Sequence, residues 1–116
     1  LIYVHKYVHN IHVKILRIRI GSRLLMEFEW DNEKNNKNIK KHGIDFADAA
    51  LIFDHPMFVY EDVRKDYGEQ RFNGIGVLQG IEISVVYTQR GRKIRLISAR
   101  KASKDERKKY SSLHKE

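Results

Sequence analysis

Polar and apolar residues alternate through Met26-Glu27-Phe28-Glu29-Trp30, the two-residue period of a half-buried strand. The pattern then changes. Asp31 or Asn32 can cap a helix over Glu33 to His42, with an acid early and Lys40, Lys41 and His42 in its last turn, matching the helix dipole. Gly43 supplies the left-handed stop. Asp45 followed by Asp48 opens a second helix with an apolar stripe of Phe46, Ala49, Ala50 and Phe53, and His55-Pro56 breaks it. From Met57 the strand period returns in four runs: Met57 to Glu61, Gln70 to Leu78, Ile81 to Thr88 and Ile94 to Arg100. Turn signals at Lys65 to Gly68, Gln79-Gly80 and Arg90-Gly91 separate them. Ser103, three before Glu106, has capping-box spacing and opens a last helix through Leu113. This order predicts an α+β domain: an antiparallel sheet of about four to five strands, two N-terminal helices and one C-terminal helix, the helices on one face.

The first 25 residues, Leu1 to Leu25, read differently. They hold His5, His9 and His12, then Val13-Lys14-Ile15-Leu16-Arg17-Ile18-Arg19-Ile20, whose β-branched content predicts an extra strand or a loosely held arm. The expected division is an extension over 1–25, not native if Met26 is the true initiator, and one domain over 26–116. Mass spectrometry of the natively expressed protein decides this, and a mature chain beginning at Leu1 refutes it. The 116 residues suffice for one core.

Charge sharpens the picture. Residues 90–116 carry eleven Lys and Arg against Asp105, Glu106 and Glu116, whereas residues 1–89 balance twelve basic side chains against twelve acidic ones. The net charge of +8 is therefore local, and a polyanion is its natural partner. Absence of cysteine excludes disulfides, thiolate nucleophiles and cysteine-based zinc sites. Arg17, Arg19 and Arg23 interrupt the most apolar stretch, so no membrane span is expected, and the cytoplasm is the default compartment. The three histidines and the acids Glu61, Asp62, Asp66 and Glu69 have no convincing metal-ligand pattern, and no cofactor is expected. Gly74 and Gly76 are too few for a dinucleotide fingerprint and mark a bulge or a close approach of backbones.

What remains is Lys41-His42-Gly43 with Arg71, Arg95 and Arg100. A basic group at a helix end, facing arginines on strands, can hold a phosphodiester and move protons. The same residues can equally complement a helix dipole and keep a sheet soluble. Trp30 could stack on a base or fill the core, and Tyr110 could contact a phosphate or anchor the final helix.

From Phe28 to Tyr110 the chain resembles the BrnT family of toxins from bacterial type II toxin–antitoxin pairs. Trp30-Asp31, Lys34, Asn38, Lys41-His42-Gly43, Phe46, Ala49 and Phe53 match its opening. Gly68-Glu69-x-Arg71 and Gly76 match its middle, and Ile97-Ser98-Ala99-Arg100-Lys101-Ala102 with Glu106-Arg107 and Tyr110 matches its end. The resemblance implies a RelE-like fold, metal-independent endoribonuclease activity that blocks translation, and a ribbon-helix-helix antitoxin (BrnA-like) that makes the operator DNA contacts. The extension lies outside the pattern.

If RNA is the substrate, its own 2′-hydroxyl can attack phosphorus, and the protein needs only a proton acceptor, a proton donor and charge stabilisation. His42 is then the expected proton-transfer residue, with Lys41 steadying the phosphate, because histidine is the side-chain type that titrates nearest neutrality. Arg71 and Arg100 are expected on the non-bridging oxygens, and Arg95, Lys101, Arg107 and Tyr110 on neighbouring RNA. The competing expectations are a non-catalytic nucleic-acid-binding module and a toxin of the same fold that inhibits DNA gyrase.

Overall fold

The computed structural model describes the backbone of residues 2–8, 11–20 and 23–114 and the side chains of residues 27–113. Seven strands form one sheet in the order β1 (Ile2–Val8), β2 (Ile11–Ile20), β3 (Arg23–Asp31), β7 (Lys93–Lys101), β6 (Ile81–Arg90), β5 (Arg71–Leu78) and β4 (Phe58–Glu61). All neighbours are antiparallel except β3 and β7, which run parallel where Glu27 to Glu29 meet Lys93 to Arg95. The expected all-antiparallel sheet is thus mixed. After β3 the chain crosses to the far edge at β4, and the antiparallel meander back from that edge brings β7 alongside β3 in the same direction.

The N-terminal extension forms β1 and β2, which add to the sheet outside β3. β3 begins at Arg23 and runs without interruption across the expected boundary at Met26. His9 lies outside the described residues, while His5 and His12 fall on the backbones of β1 and β2.

Helix α1 (Asn32–His42) starts where predicted: Asp31 accepts from the backbone N–H groups of Glu33 and Lys34, and Gly43 closes it with a φ of 71°. Helix α2 (Phe46–Ala49), capped by Asp45, passes into a 3-10 turn over Ala50–Asp54. These segments cover the core face, where Phe28 and Trp30 of β3, Ile83, Val85 and Tyr87 of β6, and Leu96 of β7 are buried against Phe46, Ala49 and Ile52. Trp30 is wholly buried and meets the Phe46 ring edge-on, so it belongs to the core and not to a base-stacking surface. Gly76 marks the expected close approach, although the neighbour is a side chain: a Cβ there would lie 2.9 Å from the Cβ of Ile52.

Helix α3 (Lys104–Ser111) packs on the opposite face, which corrects the expectation of all helices on one side. The cause lies in the strands. β5 and β6 are buried on alternate residues of both faces, with Ile75 and Ser84 inaccessible on the side away from the main core.

Candidate functional site

Strand register maps the face that carries α3. Arg71 on β5 is opposite Thr88 on β6, Thr88 is opposite Arg95 on β7, and Arg95 is opposite Glu29 on β3. Paired residues in a sheet project from the same side, so these four form one row. The next row toward the β6–β7 turn holds Arg90, Lys93 and Glu27. Two rows the other way lie Ile75, Ser84 and Arg100. α3 covers only that second end, leaving the Arg71–Arg95 end free of it.

At the covered end Glu106 is the hub. Its carboxylate accepts from both terminal nitrogens of Arg100 (2.7 and 3.0 Å), from Ser84 Oγ (3.0 Å), from Tyr60 Oη (3.3 Å) and from the Ser103 backbone N–H (2.8 Å). Burial alone would push this carboxyl upward, but the hydrogen bonds from Arg100, the Ser103 backbone and Ser84 prevail and hold it down at about 2. Burial and the Glu106 charge raise the pKa of the neighbouring Tyr60. Arg100 is thereby committed to an internal partner. It also lies four residues of β6 from the Arg71 row, roughly 13 Å along the strand and about 10 Å across two strand spacings.

At the open end each sheet-face cation is matched by a carboxylate. Arg71 Nε is 3.5 Å from Glu69, Arg90 is 3.1 Å from the other oxygen of Glu69, Arg95 is 3.5 Å from Glu29, and Lys93 is 3.7 Å from Glu27. The Arg71 guanidinium also lies over the Tyr67 ring, 4.2 Å from its centroid. Thr88 Oγ1 donates to the Gln70 carbonyl at 2.7 Å, and the Asp62 N–H donates to the Arg71 carbonyl at the same distance, so the entry to β5 is pinned on both sides. A cleft of about 330 Å³ opens beside it, lined by Glu61, Asp62, Tyr67, Glu69, Gln70 and Arg71 among others. Arg64 clamps Asp62 with two hydrogen bonds of 2.9 Å and holds that carboxyl far below the usual carboxylate range.

The cations without ion pairs lie elsewhere. Among the described residues these include Lys34, Lys37, Lys40 and Lys41 on α1, Lys101 at the end of β7, and Lys104, Arg107, Lys108 and Lys109 on α3. α1 reaches the β7 edge through Asn38, whose amide nitrogen donates to the carbonyls of Ala99 and Ile44 while its oxygen accepts from the Ala99 N–H. β3 pairs with β7 only as far as Arg95, and Asn38 occupies the edge left open beyond it.

The predicted quartet does not assemble. Lys41 is exposed and His42 half-buried at the end of α1, beside β7, and neither makes a side-chain hydrogen bond or ion pair among the described residues. Arg71 stands two strands away from β7, on β5 next to the β4 edge, and at the opposite end of the sheet face from Arg100. Arg71 and Arg95, by contrast, share a row. Lys101 and Arg107 are exposed near the C-terminal end of β7, Arg107 bonding the Ala102 carbonyl, and Tyr110 is half-buried on α3. Sequence reasoning assigned no role to Glu29, Glu69 or Thr88. The spacing Gly68-Glu69-x-Arg71 was the available signal, since a turn glycine followed by an acid two residues from a strand arginine places both charges at one strand entry.

Among the described residues no helix is long and apolar enough to cross a membrane. A family model described as ribonuclease toxin, BrnT, of type II toxin–antitoxin system matches residues 30–106, about two thirds of the chain. No curated protein matches.

Proposed function

Because this chain belongs to the BrnT family of ribonuclease toxins of type II toxin–antitoxin systems, we propose that it cleaves RNA on the open end of its sheet face, without a metal, and so stops translation. The observation that carries this reading is the Arg71–Thr88–Arg95 row. Its two guanidinium-bearing residues flank a small buried hydroxyl residue, with Cα atoms about 10 Å apart across two strand spacings. A phosphodiester lying over Thr88 would meet Arg71 from one side and Arg95 from the other.

The chemistry needs no nucleophile from the protein. The ribose 2′-hydroxyl attacks phosphorus, negative charge builds on the non-bridging oxygens, and the two arginines stabilise it by bidentate contacts. Arg71 and Arg95 first exchange their carboxylate partners for the phosphate. Arg107 and Tyr110 of α3, with Lys101 at the end of β7, contact RNA beyond the row, while Lys41 and the other unpaired cations of α1, on the core-face side, add only long-range, salt-dependent attraction for the RNA backbone. Arg100 acts through Glu106 as the brace of the sheet under α3.

The same reading carries a RelE-like fold, action in the cytoplasm where translating RNA is found, and a ribbon-helix-helix antitoxin of the BrnA kind. Operator DNA is then reached only through that antitoxin. Incubating the pure protein with RNA in excess chelator and mapping the new ends tests the chemistry. Ends bearing 2′,3′-cyclic phosphate and 5′-hydroxyl are expected. Intact RNA despite binding would instead favour a non-catalytic module, and loss of cleavage in chelator would require a metal.

A further inference from the structure

We propose that Glu69 is the proton acceptor for the attacking 2′-hydroxyl. This inference rests on the ribonuclease reading and adds a residue to it.

Three features of the fold place Glu69 for this task. Gly68, with a φ of 71°, turns the chain in a conformation side chains rarely adopt, and its N–H is held by Asp66 at 2.9 Å. The two residues after Glu69 are fixed through their carbonyls, Gln70 by Thr88 and Arg71 by the Asp62 N–H. Glu69 is thus a loop residue with firmly held neighbours on both sides. Its carboxylate also touches the phosphate clamp: one oxygen faces Arg71 at 3.5 Å and the other faces Arg90 at 3.1 Å. The side chain is 28% exposed and lines the cleft, so a ribose attached to a phosphate on Arg71 can reach it.

Electrostatics gives the carboxylate a reason to gain basicity when RNA binds. Burial tends to raise its pKa, but Arg90 and Arg71 outweigh burial and hold it below its ordinary value, so it is ionised at neutral pH. The charged groups on it are Arg90 from β6 and Arg71 from β5. When Arg71 turns to the phosphate, Glu69 loses one of these two counter-charges and becomes a stronger base. The O2′–P bond then forms as Glu69 takes the 2′-hydroxyl proton. The P–O5′ bond breaks with its electron pair on O5′, and water supplies the proton to that oxygen. Glu29 is the less suitable acceptor, since at 12% exposure it is less open to a ribose.

The test uses the full chain, wild type and Glu69→Gln, on a short RNA carrying one mapped cleavage site. Single-turnover cleavage should fall about 100-fold, a usual contribution of one general base. Affinity for the same RNA with a 2′-deoxy scissile nucleotide should stay equal or tighten, because a neutral amide in place of the carboxylate no longer competes for Arg71. Cleavage within threefold of wild type overturns the proposal, as does an affinity loss that matches the rate loss, which would make Glu69 a mere tether. Should Glu69→Gln fail to fold, Arg90→Gln gives an independent readout: with one guanidinium gone, the acidic limb of the pH–rate profile should move to higher pH, and an unmoved limb overturns the assignment. Absence of cleavage by the wild-type protein would defeat the ribonuclease reading itself, an outcome distinct from a fully active Glu69→Gln.

Discussion

Arg95 and Arg100 project from the same face of the sheet although they stand five residues apart on one strand. In a regular strand an odd separation puts two side chains on opposite faces. Here consecutive residues Val86 and Tyr87 of β6 pair with Ser98 and Leu96 of β7, leaving Ile97 as an extra residue, and this bulge shifts the alternation by one. It lets Ile94, Leu96 and Ala99 all enter the core while both arginines face away from it. One arginine then meets Glu29 at the open end and the other meets Glu106 beneath α3, which divides their roles.

Arg100→Ala is therefore expected to act on stability more than on chemistry. It leaves the buried Glu106 carboxylate without its strongest partner, at a cost of about 3 kcal/mol. For a domain of this size the melting temperature should fall by roughly 10–20 °C. Thermal unfolding checks the shift, and cleavage at a temperature where the variant is folded should stay within a few-fold of wild type.

Glu106 also sets an acid limit. Its folded pKa of about 2 lies below the ordinary 4.5, so the native state binds this proton more weakly than the unfolded chain does. The resulting stabilisation is complete above about pH 4.5 and disappears as pH falls toward 2. Denaturation midpoints measured across that window should drop steeply in the wild type. In Glu106→Gln, which cannot ionise, the decline should be shallower, starting from a lower stability at neutral pH.

Asn38→Ala should unlatch α1. The substitution strips hydrogen bonds from the Ala99 N–H and from the carbonyls of Ala99 and Ile44, at an expected cost of about 2–4 kcal/mol. Hydrogen exchange should report the loss at the Ala99 amide.

The helix cations should govern how salt affects RNA binding. Removing Lys104 and Lys108 together should lower the slope of log affinity against log salt by roughly 1.4, about 0.7 per single-strand phosphate contact. Cleavage at saturating RNA should be retained. An unchanged slope would remove α3 from the RNA path.

Much of the fold was legible locally. Caps at Asp31, Asp45 and Ser103 and the stop at Gly43 stand where their side-chain chemistry put them, because such motifs depend on neighbours within a few residues. The parallel β3–β7 pair and the placement of α3 were not legible, since both are set by contacts far apart in sequence. α1 escaped a simple apolar-stripe reading for another reason: its buried residues are Asn35 and Asn38, which satisfy backbone groups instead of filling space. The site suffered most. Charge grouped Lys41 and His42 with Arg71, Arg95 and Arg100, and the family resemblance favoured Lys41, His42, Arg71 and Arg100 for the chemistry, but only register could reveal that Arg71 shares a row with Arg95, and only the Glu106 contact that Arg100 is already engaged.

The central claim is that RNA is cut over the Arg71–Arg95 row and not at the end of α1. Single-turnover cleavage by two folded double variants, Arg71→Ala with Arg95→Ala and Lys41→Ala with His42→Ala, tests it most directly. The first should lose at least about 100-fold in rate at saturating RNA while the second stays within about tenfold of wild type. Robust cleavage by the first, with an inactive second, would contradict the account and return the chemistry to the end of α1.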